Sequence, residues 1–215
     1  VPWINSKRTL GFYRDVVRDD GISPTWWGFF TGMSAFNDLG LTLTPDSMAS
    51  FSRASYVLIF TSFFVVIGNT GFPVFLRFLI WIFQKFAPDL SQRQESLQFL
   101  LQHPRRTFTL LFPSGATWWL FLILIVLNVF DWVMFLILDY KADVVKTLGG
   151  AWYRVMNGLF QSFSTRTAGF VSVSLSGLAP AVQVSYMLMM YVSVLPLAIS
   201  IRRTNVYEEQ SLGIY

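Results

Sequence analysis

Three stretches of the 215-residue chain carry no charged side chain: Ala54 to Leu76, Thr107 to Phe130 and Thr167 to Ile201. Each exceeds the roughly 20 residues that a helix needs to cross the hydrocarbon core of a bilayer. The pattern predicts long apolar helices over 47–86, 113–138 and 178–201, the second interrupted only by Asn128 and Asp131.

Two shorter, aromatic-bearing segments behave differently. Gly21 to Asn37 is uncharged and rich in aromatic residues but broken by glycine and proline, and it is too short to span comfortably. Within SPTWWGFFTGMSAF, Ser23 offers an N-cap and Pro24 a first helical residue. The following NDLGLTLTP, Asn37 to Pro45, cannot continue a helix smoothly. The same order recurs downstream, with an aromatic-bearing segment from Gly150 to Ser164, a glycine-ended TRTAGF from Thr165 to Phe170, and the last apolar run. Non-helical backbone at membrane depth is tolerated only where protein buries it or where it lines a watery path, because lipid cannot satisfy its N–H and C=O groups. Both loops therefore read as re-entrant and pore-lining, with Gly40 and Gly169 as equivalent points.

The repeating unit is helix, half-helix, loop, helix, a duplication common in transporters. Residues 1–86 form an incomplete repeat: an aqueous loop 1–22, a pore helix and loop 23–45, and an inner helix 47–86. A polar connector, 87–106, leads into a complete repeat over 107–215. That repeat has an outer helix 113–138, a pore helix and loop 150–170, an inner helix 178–201 and a polar end 202–215. The expected class is an all-α integral membrane protein built of tandem helix, re-entrant pore loop, helix repeats. The chain starts at Val1 without a methionine and stops at Tyr215 directly after a motif, which reads as a fragment.

Composition agrees with a membrane class: 53% of residues are hydrophobic and only 13% charged, against about 25% charged in soluble domains. The formal charge of +4 does not indicate nucleic acid, because basic residues sit singly or in pairs at the edges of apolar runs. Orientation does not follow from charge, since the N-terminal loop (Lys7, Arg8, Arg14, Arg18) and the connector (Lys85, Arg93, Arg105, Arg106) are equally basic. With no cysteine, thiolate metal sites and cysteine nucleophiles are excluded. The sole histidine, His103, reads as solvated or at the membrane surface. No phosphate loop, dinucleotide motif or paired catalytic acids appear, so no enzyme and no cofactor are expected.

Rings of backbone carbonyls can replace the hydration shell of a small cation without burying a formal charge, and glycine supplies the backbone freedom. A half-helix ending at such a loop adds about half a negative charge there. The segments SAFNDLGLTLTPDSM (Ser34 to Met48), GNTGFP (Gly68 to Pro73), FQSFSTRTAGF (Phe160 to Phe170) and IRRTNVYEEQSLGIY (Ile201 to Tyr215) resemble fungal Trk potassium transporters, of the Trk/Ktr/HKT superfamily. The resemblance covers essentially the whole chain. It implies four such repeats around one potassium pathway in the plasma membrane, of which this chain supplies the second pore loop with its inner helix and the third repeat. It places loop 1–22 outside the cell and segments 87–106 and 202–215 in the cytoplasm. Partners implied are the potassium ion, as transported species rather than cofactor, the lipid bilayer, the remainder of the polypeptide with two further pore loops, and a second copy in a homo-oligomer.

By the family pattern, backbone oxygens of Asn37, Asp38, Leu39 and Gly40 form one filter quadrant, and those of Arg166, Thr167, Ala168 and Gly169 another. The Asp38 and Arg166 side chains are expected to point behind the filter, because a carboxylate would bind potassium too tightly and a guanidinium would repel it. Asp131, costly within a spanning helix, must face protein or water, and an ion pair with Arg166 is one candidate arrangement. Gly68 and Gly71 allow either close helix packing or a hinge, and Pro73 a kink. Pro196 breaks the last helix where the family carries a gate, with Met187, Met189 and Met190 nearby read as packing. Arg202 and Arg203 with Glu208 and Glu209 form either a clamp or a solvated flank. The leading function is potassium uptake. The alternatives are sodium or sodium-potassium transport by the same superfamily, and a non-transporting membrane sensor that keeps the pore fold.

Overall fold

The computed structural model describes residues 9–68, 71–88, 91–104, 108, 110–140, 142–192, 198–199 and 201. Among them every regular element is helical. Contacts divide the chain into two units, one formed by residues 1–69 and 127–191, the other by 70–126 and 192–215.

The first unit holds the two re-entrant segments. It begins with α1 (Thr9–Asp19), which lies in the stretch expected as an aqueous loop. Tyr13 and Val17, one helical turn apart, are the reason: they share a face and pack into the apolar cluster of Trp27, Phe51 and Leu58. Helix α2 (Pro24–Phe36) follows, Ser23 standing at its N-cap in extended conformation and Pro24 presetting the first turn. The Ser23 side chain, however, makes no capping hydrogen bond. The helix is 13 residues long, about 20 Å at 1.5 Å per residue, short of a bilayer core of about 30 Å.

The single inner helix expected over 47–86 is divided. Residues 45–54 are turns and a short 3₁₀ segment, Ala49–Phe51, because Ser47 adopts φ 57° and Asp46 accepts from Ser50 N and its hydroxyl. Helix α3 runs Ser55–Gly68, and α4, Phe72–Phe86, is a separate helix of the second unit. Pro73 sits in the first turn of α4, where its missing N–H costs nothing, so it starts a helix instead of kinking one. In α3 the hydroxyls of Thr61 and Ser62 bond back to Val57 O and Leu58 O, both at 2.8 Å, and so need no water.

Helix α5 (Gln92–Gln102) occupies the expected polar connector; Ser91 caps it by accepting from Gln94 N, and His103 at its C-cap stacks on Phe99 at 4.6 Å. Helix α6 (Ser114–Leu138) is long and apolar enough to cross a membrane, with 25 residues and mean hydropathy 2.6. Helices α3 and α4 taken together carry the apolar length of one more span. After the short α7 (Asp143–Lys146), α8 (Ala151–Thr167) is the most enclosed helix of the first unit. Polar side chains around its axis, Asn157, Gln161, Ser162, Ser164, Thr165 and Arg166, are all buried. A 3₁₀ turn, Leu175–Gly177, leads to α9 (Pro180–Val192). Asp139, at the end of α6, accepts from Ala179 N at 2.7 Å and fixes where α9 begins. A second apolar cluster, with Phe135, Val145, Leu178, Val182 and Tyr186, joins α6, α7 and α9.

Candidate functional site

The two half-helices α2 and α8 end at the two glycine loops, each stopped by a local hydrogen-bond device. After Phe36 the chain forms a C-cap in which Leu39 N bonds Ser34 O at 2.9 Å and Asp38 N bonds Ala35 O at 3.4 Å. This is the Schellman pattern, and its left-handed residue is Asp38, at φ 50°, a residue type that tolerates the conformation. Gly40 follows at φ 67°. The Ser34 hydroxyl then donates to Leu41 O at 2.7 Å and accepts from Leu41 N at 3.0 Å, pinning the far side of the loop to the helix it left.

The second loop repeats this with one residue fewer. Gly169, at φ 75°, bonds through its N–H to Ser164 O at 3.0 Å, and the Ser164 hydroxyl donates to Phe170 O at 2.7 Å. Gln161 braces the returning chain by accepting from Ser172 N at 3.3 Å. The two loops also meet. A Cβ placed on Gly40 would lie 2.4 Å from Ala168 O and 3.3 Å from Gly169 Cα, so only glycine fits where the two backbones touch. Beyond the glycines, Met48 N bonds Val171 O at 3.0 Å and Val171 N bonds the Ser47 hydroxyl at 3.2 Å. Among the described residues the carbonyls of Asn37, Leu39, Gly40, Arg166, Thr167, Ala168 and Gly169 accept no hydrogen bond, whereas those of Leu41 and Phe170 are taken by the two serines. They lie at the negative ends of two helix dipoles.

Residues 1–215 match the TrkH family, described as cation transport protein. The chain belongs to the TrkH family of cation transport proteins. It is 69% identical over its full length to the High-affinity potassium transport protein of Saccharomyces uvarum and 65% to the Low-affinity potassium transport protein of Saccharomyces cerevisiae. Over 94% of the chain it is 62% identical to Potassium transporter TRK1 of Candida albicans. The chain spans 17%, 24% and 19% of the length of these three relatives, respectively.

The other residues singled out in this TrkH chain fall into place around the loops. Both Asp38 carboxylate oxygens are shielded from solvent, and Arg166 is buried at 6% exposure. Asp131 is fully buried and accepts from the Ser185 hydroxyl of α9 at 3.0 Å through one of its two carboxylate oxygens. Gly68 is a packing glycine, since a Cβ there would lie 1.8 Å from Phe36 O at the end of α2. Gly71 is the N-cap of α4, at φ −89°. Met187 and Met190 are 70% and 48% exposed, whereas Met189 is half-buried. Pro196, Arg202, Arg203, Glu208 and Glu209 lie outside the described residues.

Sequence reasoning missed the residues that hold the TrkH loops from behind: Ser34, Ser164, Gln161 and Ser47. It also missed Asn157, whose amide donates to Ser52 O at 2.6 Å and Tyr153 O at 2.8 Å and so ties α8 to the turn that precedes α3. The available signal was a serine six positions before Gly40 and five before Gly169.

Proposed function

We propose that this TrkH chain supplies two quadrants of a carbonyl-lined potassium filter, centred on Gly40 and Gly169, within a longer polypeptide of the plasma membrane. The observation that carries this reading is the contact between two left-handed glycines at the ends of two half-helices, where the carbonyls of both glycines accept no hydrogen bond among the described residues. Two loops cannot surround an ion, so two further pore loops come from the rest of the polypeptide, in keeping with a chain that spans 17% to 24% of its potassium-transporting relatives. Potassium sheds water against the carbonyls and enters under the membrane potential, worth about 2.3 kcal/mol per charge per 100 mV. No covalent step is involved. In this reading residues 1–22 are extracellular, 87–106 and 202–215 are cytoplasmic, and the inner-helix gate lies near Pro196.

The test is rubidium and sodium uptake by the complete polypeptide in cells lacking other potassium uptake. Gly40→Arg and Gly169→Arg should each abolish rubidium uptake while the protein still reaches the membrane. Unchanged uptake in both would favour a sensor that retains the fold, and uptake of sodium in preference to rubidium by the unaltered protein would favour the sodium reading.

A further inference from the structure

Arg166 poses an electrostatic problem for a cation path. It is a buried guanidinium in the last turn of α8, three residues before Gly169, where its positive charge offsets the negative end of the helix dipole. Its Nε has no hydrogen-bond partner among the described residues. Asp131 is the matching anomaly on α6: a wholly buried carboxylate with one oxygen held by Ser185 and the other without a hydrogen-bond partner among the described residues.

The two helices set these groups toward one another. Ser162 donates to Asn128 O at 2.7 Å and the Trp132 indole donates to Val155 O at 3.3 Å, so α6 and α8 run antiparallel with the 128–132 face of α6 against α8. Arg166 lies one turn beyond Ser162 on the same face of α8, and Asp131 one turn beyond Asn128 on α6. Helical side chains lean toward their own N-terminus, so on antiparallel helices these two converge on the Ser162–Asn128 level from opposite sides.

We propose that Asp131 is a charge-compensating positioning residue for the Gly169 loop. Its carboxylate, fixed by Ser185 of the inner helix, cancels the Arg166 charge, so that a cation in the filter meets the negative helix end and carbonyls without a buried positive charge behind them. The inference rests on the Gly169 loop being part of the filter, and it adds a sign: removing the two partners must shift cation affinity in opposite directions. A role in packing alone would not do so.

The experiment is the concentration dependence of rubidium uptake by the complete polypeptide, with membrane abundance measured alongside. Asp131→Asn keeps an acceptor for Ser185 but leaves Arg166 uncompensated, and should raise KM about tenfold, the size expected for a unit charge about 10 Å away at an effective dielectric constant near 20. Arg166→Gln should lower KM, and the double variant should return it to within about threefold of the unaltered protein. Shifts in the same direction, or altered abundance with unchanged KM, overturn the inference. If Asp131→Asn does not reach the membrane, the double variant decides: recovery of abundance with near-normal KM supports charge compensation, and continued absence refutes it. Gly169→Arg is the separate control, since normal uptake in that variant removes the filter reading itself, whatever the Asp131 result.

Discussion

Gly40 and Gly169 share a left-handed conformation but differ in the room around them, and this difference is measurable. A methyl group on Gly169 would sit 3.8 Å from Gly40 Cα, an ordinary contact, so Gly169→Ala incurs mainly the left-handed strain of roughly 1–2 kcal/mol. On Gly40 the same methyl would also meet Ala168 O at 2.4 Å and force the loops apart. Gly40→Ala should therefore reduce rubidium uptake at least tenfold more than Gly169→Ala, as read from uptake rates normalised to membrane abundance. The serines behind the loops give a subtler effect. Ser34→Ala removes two hydrogen bonds to Leu41 and Ser164→Ala one to Phe170, each worth about 0.5–1.5 kcal/mol. Both variants should still transport, with a reduced rubidium-to-sodium preference, and Ser34→Ala should lose more of it. An unchanged preference would mean that the serines brace the helix end without setting the carbonyls.

At the scale of elements, the half-helices, the long α6 and the glycine loops were legible because each rests on a local signal: Pro24 for the start of α2, an uncharged run for α6, glycine for each stop. The division of the expected inner helix was not. Residues 47–54 are apolar enough to read as helix, but Ser47 is drawn into φ 57° while its hydroxyl accepts from Val171, which lies 124 residues away in sequence. Helix α1 was hidden for a related reason. Its mixed charges suggested solvent, and only the tertiary contact of Tyr13 and Val17 with the Trp27 and Phe51 cluster shows why it folds. The start of α9 depends on Asp139, which no local pattern marks as a cap. Asp139→Ala should leave Ala179 N unsatisfied and lower stability by about 1–3 kcal/mol, seen as a fall in the thermal denaturation midpoint of the purified complete polypeptide in detergent. Gly68→Ala should destabilise in the same assay, because its methyl would overlap Phe36 O and push α3 away from α2.

At the scale of the molecule, the site is a product of two distant segments brought to one place. Each loop resembles an ordinary glycine-terminated helix end in isolation. What distinguishes them is that the backbones of Gly40 and Ala168–Gly169 touch, with carbonyls that accept no hydrogen bond among the described residues. The family resemblance in the motifs anticipated the glycines, whereas the contact between them needed the structure. The most direct measurement is the anomalous scattering of thallium or rubidium soaked into crystals of the complete polypeptide. The expected result is a peak on the pathway axis, coordinated by carbonyl oxygens from both the Gly40 and the Gly169 loops. A cation found elsewhere, with those carbonyls turned away from it, would contradict the account.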